Sequence, residues 1–129
     1  MTMFDIIIIG AGTAGISSYK EAVKHTNNIL IINDGPWDTT CARVGCMPSK
    51  VLISTANRMF DIQNAQEVAL DVSANINTNQ VMQHVQTLRD RFTQATLKDV
   101  DQWPTEHKIS GKAHFIDAQT VEVNGKQYK

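Results

Sequence analysis

The stretch "FDIIIIGAGTAG", residues 4–15, decides how the N-terminal part of this 129-residue chain folds. Four isoleucines without polar alternation predict a buried strand that runs directly into a glycine-rich turn. Residues 13–25 then predict a helix, which ends at "TNN". A second apolar run, "NILIIND" at 28–34, predicts another buried strand. Strand, turn, helix and strand within about 30 residues indicate a βαβ unit with parallel strands.

The glycines of this turn fit the pattern G-x-G-x-x-G, which is typical of dinucleotide-binding sites. We expect Gly10 to make the tight turn, Gly12 to let the backbone approach a pyrophosphate, and Gly15 to allow close helix–strand packing. Thr13 and Ala14 begin the helix, whose N-terminal amides and partial positive charge attract phosphate. A tight turn without a ligand is the alternative. It is less favoured because the motif follows a strand and begins a helix.

The end of the second strand carries the residues expected to face the ribose of such a ligand. Dinucleotide folds usually place an acidic residue there, about 20 residues after the glycines. This chain has Asn33 and Asp34 at that point. An amide accepts hydrogen bonds from two hydroxyls less well than a carboxylate does, so we expect Asp34 to share the task with Asn33.

The segment "CARVGCMPSK", residues 41–50, contains both cysteines of the chain. Two thiols this close are inert, metal-binding or redox-active, and a zinc site is not predicted because two further ligands at suitable spacing are not evident. Pro48 suits the first turn of a helix, and a helix start beside Lys50 favours the thiolate of Cys46. A disulfide between Cys41 and Cys46, exposed to an attacking thiolate, would be reducible and not structural.

The remaining sequence predicts two amphipathic helices, a strand and a hairpin. The first helix should run to about Glu67 and bury one face, formed by Leu52, Ile53, Ala56, Met59 and Phe60. The second should cover about 79–98, with a stripe that we interpret as core, formed by Val81, Val85, Leu88, Phe92 and Ala95. We expect a third parallel strand at about 107–110. Asn124-Gly125, between two strand-like runs, indicates a β-hairpin.

Composition narrows the class of protein. Hydrophobic residues make up 42% and charged residues 19%, with a formal net charge of -1, so neither disorder nor a nucleic-acid-binding surface is expected. The longest apolar run, "IIII", is far shorter than the roughly 20 residues that a membrane span needs, and no signal peptide is evident. We therefore expect a cytoplasmic protein without membrane or nucleic-acid partners.

A glycine-rich βαβ unit followed by C-x-x-x-x-C and "PSK" resembles the FAD-dependent pyridine nucleotide-disulfide oxidoreductases of class I. Among them "VGCMPSK" is most similar to the dihydrolipoamide dehydrogenase branch. The segment "GKAHFIDAQTVEV" is similar to the family's G-x-A-x-F segment, whose backbone near Ala113 meets the adenine side of FAD. The resemblance implies an α/β, Rossmann-like dinucleotide-binding fold, with a parallel sheet, flanking helices and a β-hairpin. It implies that residues 1–129 are the N-terminal part of an FAD-binding domain, without the family's NAD and dimerisation domains.

The resemblance also implies a reaction and a role for each site residue. In such enzymes two electrons pass from a dithiol substrate, such as dihydrolipoamide, to the cysteine pair, then to FAD and then to NAD. Cys41 would exchange with the substrate, Cys46 would lie against the flavin with Lys50 beside its ring, and Thr40 would belong to the cofactor site. The full-length protein would be a homodimer, and this piece alone would be inactive. A non-catalytic relative that kept the fold, or a glutathione or mercuric reductase type of enzyme, stays open as an alternative, as does NAD versus NADP.

The sequence departs from the family's usual pattern at three places. Asn33 stands where glutamate is typical, and Asp38-Thr39, followed by Thr40, stands in place of a Gly-Gly pair. Ala42 and Arg43 replace an apolar residue and asparagine, and we interpret Arg43 as a surface charge more readily than a substrate contact. None of the histidines lies in a motif that matches the family's proton-shuttling His-Glu pair, so we interpret all four as surface or packing residues, namely His25, His84, His107 and His114.

Overall fold

The computed structural model of the protein describes residues 2–129, which form two compact units. The first, here called the sheet unit, comprises residues 2–40 and 95–129. The second, here called the helical unit, comprises residues 41–94 and lies between the two halves of the first in the sequence.

Three parallel strands form the centre of the sheet unit. They are β1 (Ile6–Ile9), β2 (Ile29–Asn33) and β3 (Lys108–Ser110), in the order β1-β2-β3. Both pairings are parallel, which confirms the predicted βαβ unit and the predicted third strand. The carboxyl ends of all three strands therefore lie at one edge of this sheet, where ligands bind in open α/β sheets.

The two isoleucine-rich strands differ in burial. In β2, Ile29 to Ile32 are at most 1% exposed, as predicted for a buried strand. The prediction was wrong for part of β1, since Ile6 and Ile9 are 36% and 48% exposed. The reason is position: β2 is the central strand, whereas among residues 2–129 no strand pairs with the other side of β1, which forms an edge of the sheet. Apolar strand sequence alone does not distinguish these places.

Helix α1 (Thr13–Ala22) follows the glycine-rich turn and packs on the sheet. It ends three residues before the predicted His25, because the chain tightens there: the amides of Lys24 and His25 donate to the carbonyls of Glu21 and Ala22. Such i to i−3 bonds are a common helix ending. The apolar core of this layer is formed by Ala11, Ile16, Tyr19, Ala22, Ile29, Ile31 and Val100.

An aromatic cluster fixes the inner face of α1. The ring of Tyr19 is stacked on Trp103, with centroids 3.9 Å apart, and its hydroxyl is 2.8 Å from Nδ1 of His107. Tyr19 and His107 are both buried, so this hydrogen bond satisfies two polar groups that would otherwise be desolvated at a cost. Burial raises the pKa of Tyr19, and the nearby carboxylate of Glu106 acts in the same direction. His107 is thus a packing residue, as predicted.

The C-terminal strands form a separate antiparallel sheet. They are β4 (His114–Asp117), β5 (Thr120–Val123) and β6 (Lys126–Tyr128). Asn124 and Gly125 join β5 to β6 with φ values of 51° and 72°, the left-handed conformations that a two-residue type I′ hairpin turn requires. The predicted hairpin is confirmed. The side-chain Nδ2 of Asn124 also donates to the carbonyl of Ser110, which ties the turn to the end of β3.

The helical unit contains α2 (Thr40–Val44, which begins one residue before it), α3 (Cys46–Gln63), a 3-10 helix (Ala65–Val68) and most of α4 (Thr78–Asp101). Helix α3 ends four residues before the predicted Glu67, because Asn64 donates from its side-chain amide to the carbonyl of Phe60 and caps the last turn. No helix within residues 2–129 is both long and apolar enough to cross a membrane.

The predicted buried face of α3 was wrong. Leu52, Ile53, Ala56 and Phe60 are exposed, and only Met59 of the predicted set is half-buried. The face that is partly covered is rotated by about one residue and carries Val51, Thr55, Met59 and Ile62. The helical unit has no sheet, so its helices have little apolar surface on which to bury a full face. The predicted apolar stripe on α4 agrees better with the structure than the predicted face of α3 does, because Val85 is buried and only Ala95 of the predicted residues is exposed.

Candidate functional site

The glycine-rich turn connects β1 to α1 with a conformation that only its sequence permits. Gly10 has a φ of 97°, a region that L side chains rarely adopt, and its amide donates to the carbonyl of Ile32 at 2.7 Å. Ala11, between the first two glycines, is 1% exposed. This hydrogen bond holds the turn against the central strand, at the edge of the sheet where a dinucleotide is predicted to bind.

Gly15 permits the close approach of α1 to this turn. A Cβ atom at position 15 would lie 1.8 Å from the carbonyl oxygen of Gly10, which is a backbone atom and cannot move aside easily. Real Cβ atoms essentially never show contacts below 3.0 Å. Close helix–turn packing thus requires glycine here, as the motif predicts.

Gly12 and the start of α1 leave room for an anion. A Cβ at Gly12 would meet no atom within 4 Å, so its Cα faces open space. Gly12 is also the N-cap of α1, and within the described chain no side chain caps the first amides. Thr13 and Ala14, the first helical residues, are exposed. Uncapped amides, a partial positive charge and open space fit the pyrophosphate of a dinucleotide.

Asn33, at the end of β2, links the turn to the loop that follows the strand. Its Oδ1 accepts from the amide of Ala11 at 2.9 Å, and its Nδ2 donates to the carbonyls of Gly35 and Pro36 at 2.9 and 3.1 Å. The amide group is therefore engaged at both ends by backbone. Asp34 is exposed beside it. The predicted contacts of both residues with ribose stay predictions, and the Ala11 contact is one that the sequence did not reveal.

Asn33→Asp should destabilise the chain by about 1–3 kcal/mol, because the new carboxylate cannot donate and would face two carbonyl oxygens. Asp34→Asn changes an exposed neighbour and should alter stability by less than about 0.5 kcal/mol. Urea unfolding followed by circular dichroism measures both variants. Equal stability of Asn33→Asp and the unmodified chain at pH 7 would show that the amide donor bonds contribute nothing.

The loop before the cysteines contains a residue in a strained conformation. Thr39, which stands where the resembled family has the second residue of a Gly-Gly pair, has a φ of 63°. This left-handed region suits glycine, and a β-branched side chain there costs roughly 1–2 kcal/mol. The chain thus keeps a backbone shape suited to glycine with a threonine. Thr40, the next residue, is the first of α2.

Cys41 and Cys46 are free thiols on either side of the break between α2 and α3. Cys46 is exposed and is the first residue of α3, whereas Cys41 is half-buried. The side chains are hydrogen-bonded to each other, and the backbone amides of Cys46 and Met47 donate to the Cys41 sulfur. The N-terminal amides of α3 are thus directed at Cys41. From the sequence we expected the start of α3 to favour the thiolate of Cys46. The hydrogen bonds from the α3 amides to Cys41 were not predicted.

The pKa of Cys41 is raised above that of an ordinary thiol. The hydrogen bond with Cys46 is the main cause that raises the pKa of Cys41, followed by desolvation and by the charge of Cys46. The amides of Cys46 and Met47 oppose this rise but do not cancel it. Cys41 therefore keeps its proton to a higher pH than an ordinary thiol. Contact between the sulfurs is the arrangement from which a disulfide can close.

A pocket of about 440 Å³ opens beside Cys46 within the helical unit. Residues spaced by four along α3 form one wall of the pocket, and residues spaced by four along α4 form the other. Its polar residues include Lys50, which the sequence had placed at the cofactor. The spacing of four residues is the sequence signal for this shared face, whereas His84 was predicted only as a surface or packing residue. The lining residues are Cys46, Met47, Lys50, Val51, Ser54, Thr55, Arg58, His84, Leu88 and Phe92.

The other predicted residues lie in the sheet unit. Ala113 is half-buried between β3 and β4 and packs on the cluster that contains Leu30, Ile32 and the hairpin. His25 is exposed and contacts Glu21 one turn earlier on α1, and His114 is exposed on β4. The sheet unit thus brings the glycine turn and Asn33 into direct contact. The helical unit brings Cys41 and Cys46 together, and Cys46 and Lys50 line the same pocket.

Comparison with known proteins identifies relatives of the whole chain. Residues 4–129 match the sequence profile of the pyridine nucleotide-disulphide oxidoreductases. A dihydrolipoyl dehydrogenase of Mycoplasma pneumoniae is 29% identical over 97% of this chain and 28% of its own length, and a mercuric reductase of Bacillus cereus is 33% identical over 96% and 20%. The structure of the HOCl-induced flavoprotein disulfide reductase RclA from Escherichia coli superposes with a TM-score of 0.69, at 20% identity over 96% of this chain and 26% of that one. The chain thus spans about a quarter of the length of these relatives.

Proposed function

Because the chain belongs to the pyridine nucleotide-disulphide oxidoreductase family, we propose that it is the N-terminal part of the FAD-binding domain of an FAD-dependent dithiol–disulfide oxidoreductase. The observation that carries the proposal is the pair of contacting thiols, Cys41 and Cys46, at the start of α3. Paired thiols in contact can store two electrons by opening and closing one disulfide. The site is thus suited to redox exchange and not to hydrolysis.

The sheet unit supplies the nucleotide-binding part of this proposal. Gly10, Gly12 and Gly15 shape the turn, and the amides of Thr13 and Ala14 would hold the pyrophosphate of FAD. Asn33 and Asp34 would border the ribose, with Thr40 and the backbone near Ala113 completing the cofactor site. FAD, when bound, supplies a two-electron acceptor.

The thiol pair performs the exchange with the substrate. A thiolate of a dithiol such as dihydrolipoamide attacks Cys41 in the Cys41–Cys46 disulfide, which forms a mixed disulfide and releases Cys46 as a thiolate. The second substrate thiolate then displaces Cys41, so that the substrate becomes a disulfide and both cysteines are reduced. Cys46 would lie against the flavin, and Lys50 would stand beside its ring and favour the thiolate charge.

The assembly around this chain is also a proposal. The full-length protein would pass electrons on to NAD, would form a homodimer and would work in the cytoplasm, where a reducing environment keeps such thiols exchangeable. The similarity to the mercuric reductase of Bacillus cereus, at 33% identity, favours the mercuric ion as a second candidate substrate. Two adjacent thiols suit a soft metal ion as well as a disulfide.

Titration with FAD tests the cofactor. We expect the 129-residue chain to bind FAD more weakly than the full-length protein does, because only part of the contacts is present. Gly12→Val should weaken binding at least tenfold, since its side chain would fill the open space where the backbone is to meet the pyrophosphate. Flavin fluorescence quenching gives the dissociation constants. Absence of FAD from the full-length protein, together with no detectable affinity, would contradict the proposal.

A further inference from the structure

A second pocket, of about 450 Å³, lies at the edge of the parallel sheet opposite the glycine-rich turn. Its lining includes Phe4, two residues before β1, Asn28, directly before β2, and His107, directly before β3. The amino ends of parallel strands lie at one edge of a sheet, whereas the glycine-rich turn follows the carboxyl end of β1. This pocket, here called the amino-edge pocket, is therefore separate from the predicted dinucleotide site. Small-molecule sites typically have volumes of about 300–1,000 Å³, so its size suits such a ligand.

The imidazole of His107 has a fixed orientation and a defined proton. The residue is 8% exposed, and its Nδ1 lies 2.8 Å from the hydroxyl of Tyr19. Burial, followed by the charge of Glu106, raises the pKa of Tyr19, so this hydroxyl keeps its proton at neutral pH. Among residues 2–129 the hydroxyl has no other hydrogen-bond partner, so it donates to Nδ1. The neutral imidazole then carries its own proton on Nε2 and presents an N–H donor on the side away from Tyr19.

This N–H donor of His107 opens into the amino-edge pocket. Within the described chain Nε2 has no hydrogen-bond partner. No side-chain nitrogen or oxygen of the described residues is both fully buried and without a partner, so Nε2 reaches the surface. Since His107 lines the amino-edge pocket, the donor is available to a ligand there. A nearly buried donor without a partner favours a ligand that supplies an acceptor.

The other polar groups of the pocket disfavour an anionic ligand. Glu106 contributes an exposed carboxylate, and Asn27 and Asn28 contribute amides. The Nδ2 of Asn28 donates to Asp5, which leaves its Oδ1 as an acceptor for the ligand. No lysine or arginine is among the described residues that line the pocket. Glu106 would repel a carboxylate ligand, and a simple ammonium ion would offer no acceptor to His107.

The remaining lining of the pocket is apolar and comes from Phe4 and Pro104. Phe4 is half-buried, and its ring is tilted against that of Tyr128 with centroids 6.0 Å apart. Part of the Phe4 surface is thus open to a ligand, and aromatic rings pack favourably on such a surface. The pocket therefore combines a hydrogen-bond donor, an adjacent carboxylate and an apolar wall.

We infer that the amino-edge pocket binds an uncharged aromatic ligand that carries a primary carboxamide. A carboxamide holds an acceptor and a donor side by side in one plane. Its carbonyl oxygen accepts from Nε2–H of His107, its amide nitrogen donates to Glu106, and its ring packs on Phe4. The inference does not rest on the proposed function, because neither the glycine turn nor the cysteine pair lines this pocket.

Benzamide and benzoate are matched probes, because they share one ring and differ in carrying a neutral carboxamide or a carboxylate. Each is titrated into the ¹⁵N-labelled 129-residue chain, and NMR follows the ring-nitrogen signals of the four histidines. We expect benzamide to shift the Nε2 signal of His107 with a dissociation constant of about 1 mM, as a ligand of this size supports. The signals of the other three histidines should stay unchanged, since none of them lines the pocket; these are His25, His84 and His114.

Benzoate should bind at least roughly tenfold more weakly than benzamide, because Glu106 repels its charge. Glu106→Gln changes an exposed residue, so the chain should stay folded and the difference should fall below about threefold. Asp101→Asn is the matched control: it removes an exposed carboxylate that does not line the pocket and should leave the difference unchanged.

No shift of the His107 signal at millimolar benzamide would overturn the inference. Equal affinities for benzamide and benzoate, or a difference that Glu106→Gln leaves intact, would also overturn it. A shift of all four histidine signals would do the same, because it would show binding without a defined site.

Discussion

Gly15→Ala should lower the free energy of unfolding by more than about 4 kcal/mol, an effect at the extreme of single substitutions. The added methyl group would stand 1.8 Å from the carbonyl oxygen of Gly10, so either α1 must move from the sheet or the turn must open. Both responses break contacts of Ile16 and Tyr19 in the core. We expect little folded protein at 25 °C, as measured by circular dichroism and urea unfolding.

Gly12→Ala is the matched control for this result. A Cβ at Gly12 meets nothing within 4 Å, so the chain should fold with a change in stability of less than about 1 kcal/mol. A Gly15→Ala chain as stable as the Gly12→Ala chain would show that α1 can move away from the turn without a loss in the free energy of unfolding. The close approach of helix and turn would then not be a requirement of this fold.

Cys41→Ser in the FAD-loaded, full-length protein should reduce dithiol turnover by at least roughly 10³-fold, because no mixed disulfide with the substrate can form at serine. Its Cys46 thiolate should still give the long-wavelength absorption of a thiolate beside oxidised flavin. Cys46→Ser should lose both the turnover and the absorption. Stopped-flow assays and absorption spectra separate the two variants. The opposite pattern would exchange the roles of the two cysteines.

The same pair has a pH signature that needs no cofactor. Contact with Cys46 is the main cause of the raised pKa of Cys41, so Cys46→Ala should lower that pKa towards the ordinary value. The alkylation of Cys41 by iodoacetamide should therefore move to lower pH in the variant than in the unmodified chain. Mass spectrometry after timed alkylation resolves the two sites. An unchanged or higher pH midpoint would contradict the observed contact.

Local sequence patterns predicted the elements of the fold well because these elements depend on near neighbours. The glycine turn, the Asn124-Gly125 hairpin and the α4 stripe around Val85 all follow from backbone conformation or helical spacing. Burial of Ile6 and Phe60 was predicted wrongly, since exposure depends on which other elements are adjacent. A strand at the edge of a sheet and a helix in a unit without a sheet keep exposed apolar side chains.

Parts of the candidate site depend on residue identity and parts on distance. Two cysteines five positions apart left an inert, a metal-binding and a redox-active pair open, and the resemblance to the disulfide oxidoreductases favoured the redox-active pair. The side chain of Asn33 bonds to Ala11, and Arg58 faces a pocket shared with His84, only because the fold brings distant residues together. The hydrogen bonds from the α3 amides to Cys41 likewise depend on the change in chain direction between α2 and α3.

The position of β3 in the sheet has a consequence for synthesis of the chain. Residue 31 in the central strand pairs with residue 108, so the most buried strand has an open hydrogen-bonding edge until the ribosome has produced residue 108. Parallel pairing between such distant segments is slow, since a long loop must close first. An apolar strand with an open edge is also a template for aggregation. Pairing of β2 with β3 should therefore come after the helical unit, residues 41–94, has been synthesised.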